Sequence, residues 1–303
     1  MSKSDKSPIL TVAVSSRALF DFEEENEIFK AQGEEAYICE QKKRLENNDI
    51  PACGVAFALV KKLLSFNSDG EELVRVSVIS RNDPVTGLRI FRAISENKLD
   101  IKQGCFTRGK PSFAYLQPLG AHLFLSALDE DVDKALKAKI PAAHVVGGQR
   151  QDNSDNTLRI AFDGDAILFD DSSERVFQKD GLDKFQQEEE RLKDEPMSQG
   201  PFFSFLDALA RLREHIGDDK GERIRIALIT ARGAPAHERP IRTLQSWNIN
   251  VDEAFFMSGG GKQAVVKEFG ADFYFDDQIG HLEGLPQGGH VPVGVANENK
   301  KAE

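Results

Sequence analysis

The chain has 303 residues, with 50 acidic side chains against 39 Lys and Arg, a formal charge of −11. So acidic a chain is a poor sequence-independent binder of nucleic acid or of an anionic membrane, and any anion it takes must be held by a local cluster of donors. No apolar run approaches the roughly 20 residues of a membrane helix and no signal-peptide core follows Met1–Ser7, while Cys39, Cys53 and Cys105 fit neither a disulfide framework nor a zinc spacing. The expected setting is soluble, reducing and cytoplasmic, with two domains suggested by the length.

In chain order, short apolar runs read as strands at Leu10–Val14, Val74–Ile79, His122–Leu125, Ala143–Val146, Leu158–Phe162, Ile224–Ile229, Asp272–Phe275 and Val291–Val295. Helical patterns lie between them at Val55–Leu64, Gly87–Ser95, Asp131–Ala138, Phe202–His215, Glu238–Trp247 and Lys262–Phe269. Unbroken apolar strands separated by helix-length segments predict buried parallel sheets in an α/β fold. The polar stretch Gly147–Thr157 reads as a linker and the two ends as solvated. The expected boundaries are a disordered terminus at 1–8, a first unit at 9–147, a linker at 148–157, a second unit at 158–295 and a flexible tail at 296–303.

The two halves resemble each other. A shift of 148 positions lays Leu10–Tyr37 on Leu158–Phe185, pairing Phe29 with Phe177 and Gly33 with Gly181. A shift of 150 lays Val76–Ser80 on Ile226–Thr230 and Leu119–Ala127 on Phe269–Asp277. Three blocks at nearly one offset predict a tandem duplication of an α/β unit.

The copies differ where chemistry is carried. Asp163, Asp165, Asp276 and Asp277 in the second copy face Ser15, Arg17, Ser126 and Ala127 in the first. A hydroxyl is kept on both sides (Ser80 and Thr230), and Lys262 has Lys110 near its counterpart position. In a parallel sheet these residues follow strands and gather at the carboxyl edge, where α/β sheets bind ligands. Carboxylates so clustered repel unless a cation joins them, and oxygen-only ligands beside phosphate oxygens suit Mg²⁺. A hydroxyl and an ammonium aimed at the same point suit the phosphate.

The order FDGDAILF, ALIT, Lys262 and FYFDD is similar to the four motifs of the haloacid-dehalogenase-like phosphatases. More closely, AVSSRALFD, VISRN, AFDGDAILF, ALITARGAPAHERPIRTL and FGADFYFDDQ resemble the type I cytosolic 5′-nucleotidases over about residues 8–280. The resemblance implies two tandem Rossmann-like units, the first degenerate and the second catalytic, with a small helical cap insertion at about 170–222. It implies Mg²⁺-dependent hydrolysis of nucleoside 5′-monophosphates such as AMP or IMP through an aspartyl-phosphate. Asp163 is then the nucleophile and Asp165 the general acid and base. The metal ligands are Asp163, Asp165 through its carbonyl, Asp276 and Asp277, and Thr230 and Lys262 hold phosphoryl oxygens, with Lys267 as the rival lysine.

Ser80, Arg81, Asn82 and Arg17 of the first copy are candidates for substrate or effector-nucleotide binding. Phe177, Phe185, Phe202, Phe203 and Phe205 offer a surface for a base, or else pack in the core. Arg232, His237, Arg239 and Arg242 read as ordinary charges of an exposed helix face, with contact of one or two of them with the nucleotide as the alternative, and the six histidines as structural or surface residues. Self-association is left open. The rival readings are a phosphatase for another small phosphomonoester such as a sugar phosphate, and a nucleotide-binding sensor without turnover.

Overall fold

The computed structural model describes residues 7–68, 70–147, 155–218 and 222–292. The chain divides into two units, Met1–Asp152 and Asn153–Glu303. The expected 1–8 terminus is described only from Ser7 and the 148–157 linker only from Asp155, and the 296–303 tail lies outside the described residues.

The strands of the first unit are β1 (Leu10–Val14), β2 (Val74–Ser80), β3 (Gln103–Phe106), β4 (Leu123–Ser126) and β5 (Ala142–Gly147). Those of the second are β6 (Leu158–Phe162), β7 (Ile224–Thr230), β8 (Glu253–Phe256), β9 (Phe273–Asp276) and β10 (Gln287–His290). The first unit orders its strands β3-β2-β1-β4-β5 and the second β8-β7-β6-β9-β10, all parallel. Registers agree as well as order. Leu10 pairs with Val74 and Leu158 with Ile224, Val12 with Leu123 and Ile160 with Phe273. Each second pair is the first displaced by the offsets of 148 and 150 that align the sequences.

Local chemistry accounts for these elements. Every residue of LTVAV in β1 is buried, as a strand covered on both faces requires. The helix Pro84–Glu96 starts where the Asp83 carboxylate accepts the Val85 N–H, with Pro84 at a position whose missing N–H costs nothing. Ala13, Ile79, Phe124, Val132 and Ala142 belong to a first-unit core cluster. In the second unit the core is aromatic: Phe162 stacks on Phe275 at 5.5 Å between ring centroids, Phe205 packs edge-on against both rings, and Phe202 packs edge-on against Phe162.

Two expectations are corrected here. Among the described residues the last strand is the Gln-Gly-Gly-His segment of β10, which ends before Val291 and Pro292; the rest of the expected strand Val291–Val295 lies outside the described residues. A strand built from backbone pairing to β9, with glycines where side chains would be, leaves no apolar run to read. The segment 170–222 is not a single insertion either. Helix Phe203–His215 buries Phe205, Leu206, Leu209 and Leu212, and Phe205 reaches the aromatic core, so this helix belongs to the sheet's covering layer. The remaining helical segment is Ser172–Arg191, broken at Gly181, whose φ of 82° and ψ of 179° suit glycine alone. The first unit has the same device: Gly33, at φ 84° and ψ −174°, joins helices Glu23–Gln32 and Glu34–Glu46. Across each bend an aromatic pair closes the two arms, Phe29 with Tyr37 and Phe177 with Phe185.

Candidate active site

Asp163 follows β6 directly. Its N–H donates to the Phe275 carbonyl at 2.8 Å, and its Oδ1 accepts the Gly164 N–H at 2.7 Å. The chain then turns through Gly164–Leu168, with Ala166 at φ 64° and the Phe169 N–H returning to the Gly164 carbonyl. Gly164 lies so close to Thr230, the last residue of β7, that a Cβ there would stand 3.2 Å from the threonine Oγ1. The glycine between the two aspartates thus lets neighbouring strand ends approach.

β9 ends in Asp276, which is fully buried. Its carboxylate accepts the Gln278 N–H at 2.8 Å, the Tyr274 hydroxyl and Lys262 Nζ at 3.0 Å, and lies 3.0 Å from His281 Nδ1. Lys262, just before helix Gln263–Phe269, also reaches Asp163 Oδ1 at 2.9 Å. Lys262 is 1% exposed at this cluster, whereas Lys267 is exposed on the helix surface. Oxygens of Asp163, Asp276 and Asp277 all lie within 4.8 Å of one another, an arrangement able to hold a metal ion.

This cluster carries more negative charge than its one lysine offsets. Burial, reinforced by the charges of Asp276 and Asp165, raises Asp163 well above the usual carboxylate range, against the pull of Lys262. Asp277 is pushed up to about 6 by burial and then by Asp276. Burial opposes the charge of Lys262, yet Asp163 and Asp276 outweigh it and raise the lysine. Burial and the same two carboxylates raise the Tyr274 phenol too, which keeps it a hydrogen-bond donor. Three carboxylates with oxygen as the only donor atom, two of them buried, make a set that a hard dication would complete.

Asp165 stands apart from the three. Both its oxygens are taken by Arg232, from Nε at 2.8 Å and from Nη2 at 2.6 Å. Arg232 is not part of an exposed helix face: it is 4% exposed, and its Nη1 also bonds Glu189. Glu189 in turn accepts from Arg239 at 2.9 Å and from the Ser173 hydroxyl at 2.7 Å. A chain of charge thereby runs from Asp165 to the bent helix Ser172–Arg191. Arg232, His281 and Tyr274 are the site neighbours that motif reading missed. The buried Arg has a visible signal, a position two residues beyond the strand-end hydroxyl, but nothing in the sequence separates it from the charges that follow.

The aromatic candidates separate as well. Phe202 and Phe205 are fully buried core residues, Phe203 packs on Trp247 at 5.0 Å, and Phe177 keeps 43% of its surface exposed.

The first unit's strand ends are closed differently. The Ser15 hydroxyl accepts the Ala18 and Ala127 N–H groups, and the Ser126 hydroxyl accepts the Leu128 N–H. Ser80 is buried against Ser16 at 3.0 Å and accepts the Asn82 N–H, while Arg81 holds Asp131 through two nitrogens and Arg17 pairs with Glu23. Arg17, Arg81 and Asn82 line one cavity and Ser80 does not. The counterpart of Lys262 is not Lys110, which is exposed, but buried Ser112, whose hydroxyl bonds Asp131 at 3.3 Å. The offset of 150 matches Ser112 to Lys262 without a gap.

A parallel Rossmann-like unit with an acidic centre at the carboxyl ends of its strands is the class that fold and site define. The chain belongs to the 5′-nucleotidase family, whose model matches residues 1–298. It is similar to the human protein named cytosolic 5′-nucleotidase 1B, with 33% identity over 295 residues that make up 93% of this chain. The membership expected from the motifs is borne out, and the chain spans about half of that relative's length (48%). Among the described residues no helix is long and apolar enough to cross a membrane.

Proposed function

We propose that this chain hydrolyses nucleoside 5′-monophosphates to nucleoside and phosphate, with Mg²⁺ as cofactor and purine nucleotides such as AMP or IMP as substrates. The observation that carries this reading is the meeting of Asp163, Asp276 and Asp277 around buried Lys262 in a chain of the 5′-nucleotidase family. The second unit is the catalytic one, since the first holds Ser15, Arg17, Ser126 and Ala127 at the same places.

Asp163, Asp276 and Asp277 would hold the ion with the Asp165 carbonyl, and the bound Mg²⁺ would supply charge to offset the phosphoryl oxygens and the carboxylates. The free oxygen of Asp163 attacks phosphorus while the bond to the ribose 5′-oxygen breaks. Asp165 gives its proton to that leaving oxygen, then takes one from the water that cleaves the aspartyl-phosphate, which restores both side chains. Lys262 and Thr230 bind phosphoryl oxygens as charge shifts onto them. Because Arg232 grips both oxygens of Asp165, that ion pair must open for each proton transfer. Arg232 is therefore a positioning residue whose release accompanies turnover.

Phosphate release over a panel of nucleoside 5′-monophosphates and sugar phosphates, with Mg²⁺ or with a chelator, tests the reading. Turnover of the nucleotides that the chelator abolishes is the expected result. Preference for sugar phosphates would sink the substrate assignment, and an inert protein with every compound would sink the enzymatic one.

A further inference from the structure

Arg232 is shared by two carboxylates. Its Nε and Nη2 hold Asp165 at 2.8 and 2.6 Å, and its remaining nitrogen, Nη1, bonds Glu189. Glu189 is buried and is itself fixed, by Arg239 Nη1 at 2.9 Å and by the Ser173 hydroxyl at 2.7 Å. Beyond the Gly181 bend, the helix Ser172–Arg191 carries Phe185 and Glu189 four residues apart, hence on one face. Both meet the same guanidinium, whose carbon lies 5.2 Å from the centre of the Phe185 ring.

Anchoring the bent helix does not require this arrangement, as the first unit demonstrates. There Glu25, on the first arm, meets Arg89, the counterpart of Arg239. The position of Glu189 is neutral Gln41, that of Arg232 is Asn82, which bonds Ser16 at 3.3 Å, and that of Asp165 is Arg17. The charges at 189 and 232 thus stand in the unit that has Asp165. A carboxylate needed for Arg239 alone would serve from the first arm, where Ser173 now lies; from the second arm it reaches Arg232 as well.

To serve a leaving oxygen, Asp165 must turn away from Arg232, which strips two charge-assisted bonds from a buried guanidinium. A buried charge left unpaired is costly, and one that keeps a carboxylate is far less so. Glu189 is that carboxylate.

We propose that Glu189 is a positioning residue for proton transfer: it retains Arg232 while Asp165 swings free toward the leaving 5′-oxygen. The proposal rests on the reading of Asp165 as general acid.

Its test compares kcat/KM for AMP and for the AMP analogue with sulfur in place of the bridging 5′-oxygen. This ratio reports the steps up to phosphoryl transfer, and a thiolate departs without needing the proton that the ribose oxygen takes. Glu189→Gln should lower kcat/KM about 30-fold for AMP, the scale of one lost charged contact, and less than about twofold for the sulfur analogue. Ser173→Ala loosens Glu189 but keeps its charge, and should cost about fivefold with AMP while sparing the analogue. It carries the test should Glu189→Gln fail to fold. Equal losses on both compounds would mark Glu189 as a structural or binding residue and overturn the proposal, as would AMP turnover that both variants leave unchanged. A wild-type chain inert toward AMP would overturn the functional reading along with it, whereas the other two outcomes, in an active enzyme, overturn this proposal alone.

Discussion

Asp163 and Asp277 hold charge against burial, and this has a consequence for pH. A carboxyl whose folded pKa is raised contributes stability at low pH that is lost as pH climbs through the folded value. For Asp277 the window runs from about 3.8 to about 6, and Asp163, raised in the same direction, adds to the loss. Metal-free protein should therefore lose thermal stability as pH rises through this range. Added Mg²⁺ should raise the melting temperature more at pH 7.5 than at pH 5, where protons compete for the same oxygens; an equal gain at both values would contradict the assignment. Replacing Asp163 by Asn keeps an acceptor for the Gly164 N–H and removes a buried charge. Asp163→Asn should cut turnover by roughly 10³-fold or more without lowering the metal-free melting temperature. At Arg232, a lysine supplies charge but not the two-pronged grip on Asp165. Arg232→Lys is expected to lower kcat by about 10²-fold, the scale of a misplaced catalytic group, with KM nearly unchanged. A rise in KM alone would place Arg232 in substrate binding instead.

At the scale of elements, the bent helix pair is the feature both units share beyond their sheets. In the first unit a buried carboxylate on the first arm, Glu25, meets Arg89, and Gln41 on the second arm bonds the same arginine. In the second unit the offset of 148 turns Glu25 into Ser173 and Gln41 into Glu189, so the acid has moved to the other arm and still meets the matching arginine, Arg239. The Gly181 bend sets where Glu189 lies, and Gly181→Ala should cost about 1–3 kcal/mol in chemical denaturation, since its backbone angles are closed to alanine. An unchanged denaturation midpoint would show that the bend is not under this constraint.

Legibility in the sequence follows burial. β1 and β6, covered on both faces, are apolar throughout and read to the residue. β3 and β8 lie at sheet edges and are only half buried, and β10 has the sequence Gln-Gly-Gly-His, so none has an apolar run to betray it. The helices Glu23–Gln32 and Glu34–Glu46 bury only Glu25, and Tyr37 and Gln41, which leaves the 3.6-residue pattern without signal.

Over the whole molecule, the same strand order and the same registers in two units support the reading of descent from one α/β ancestor, with the acidic cluster found at the strand ends of the second unit. The acidic residues were legible because their strands keep an apolar frame while the ends alone differ. Arg232 and His281 were not, because a polar side chain drawn toward buried partners looks in sequence like any on the surface. Restoring acids to the first unit by Ser15→Asp with Arg17→Asp should add no second metal site, as Ser126, Ala127 and Ser112 leave any ion without further ligands and without the lysine. Metal titration checks this, and a doubled stoichiometry would contradict it.

Covalent capture of the phosphoryl group bears most directly on the account. AMP labelled at phosphorus, mixed with the protein and Mg²⁺ and quenched in acid within one turnover, should leave an acid-stable, hydroxylamine-labile label on the peptide that contains Asp163, and none in Asp163→Asn. Steady turnover with no label on that peptide, or undiminished turnover in Asp163→Asn, would contradict it.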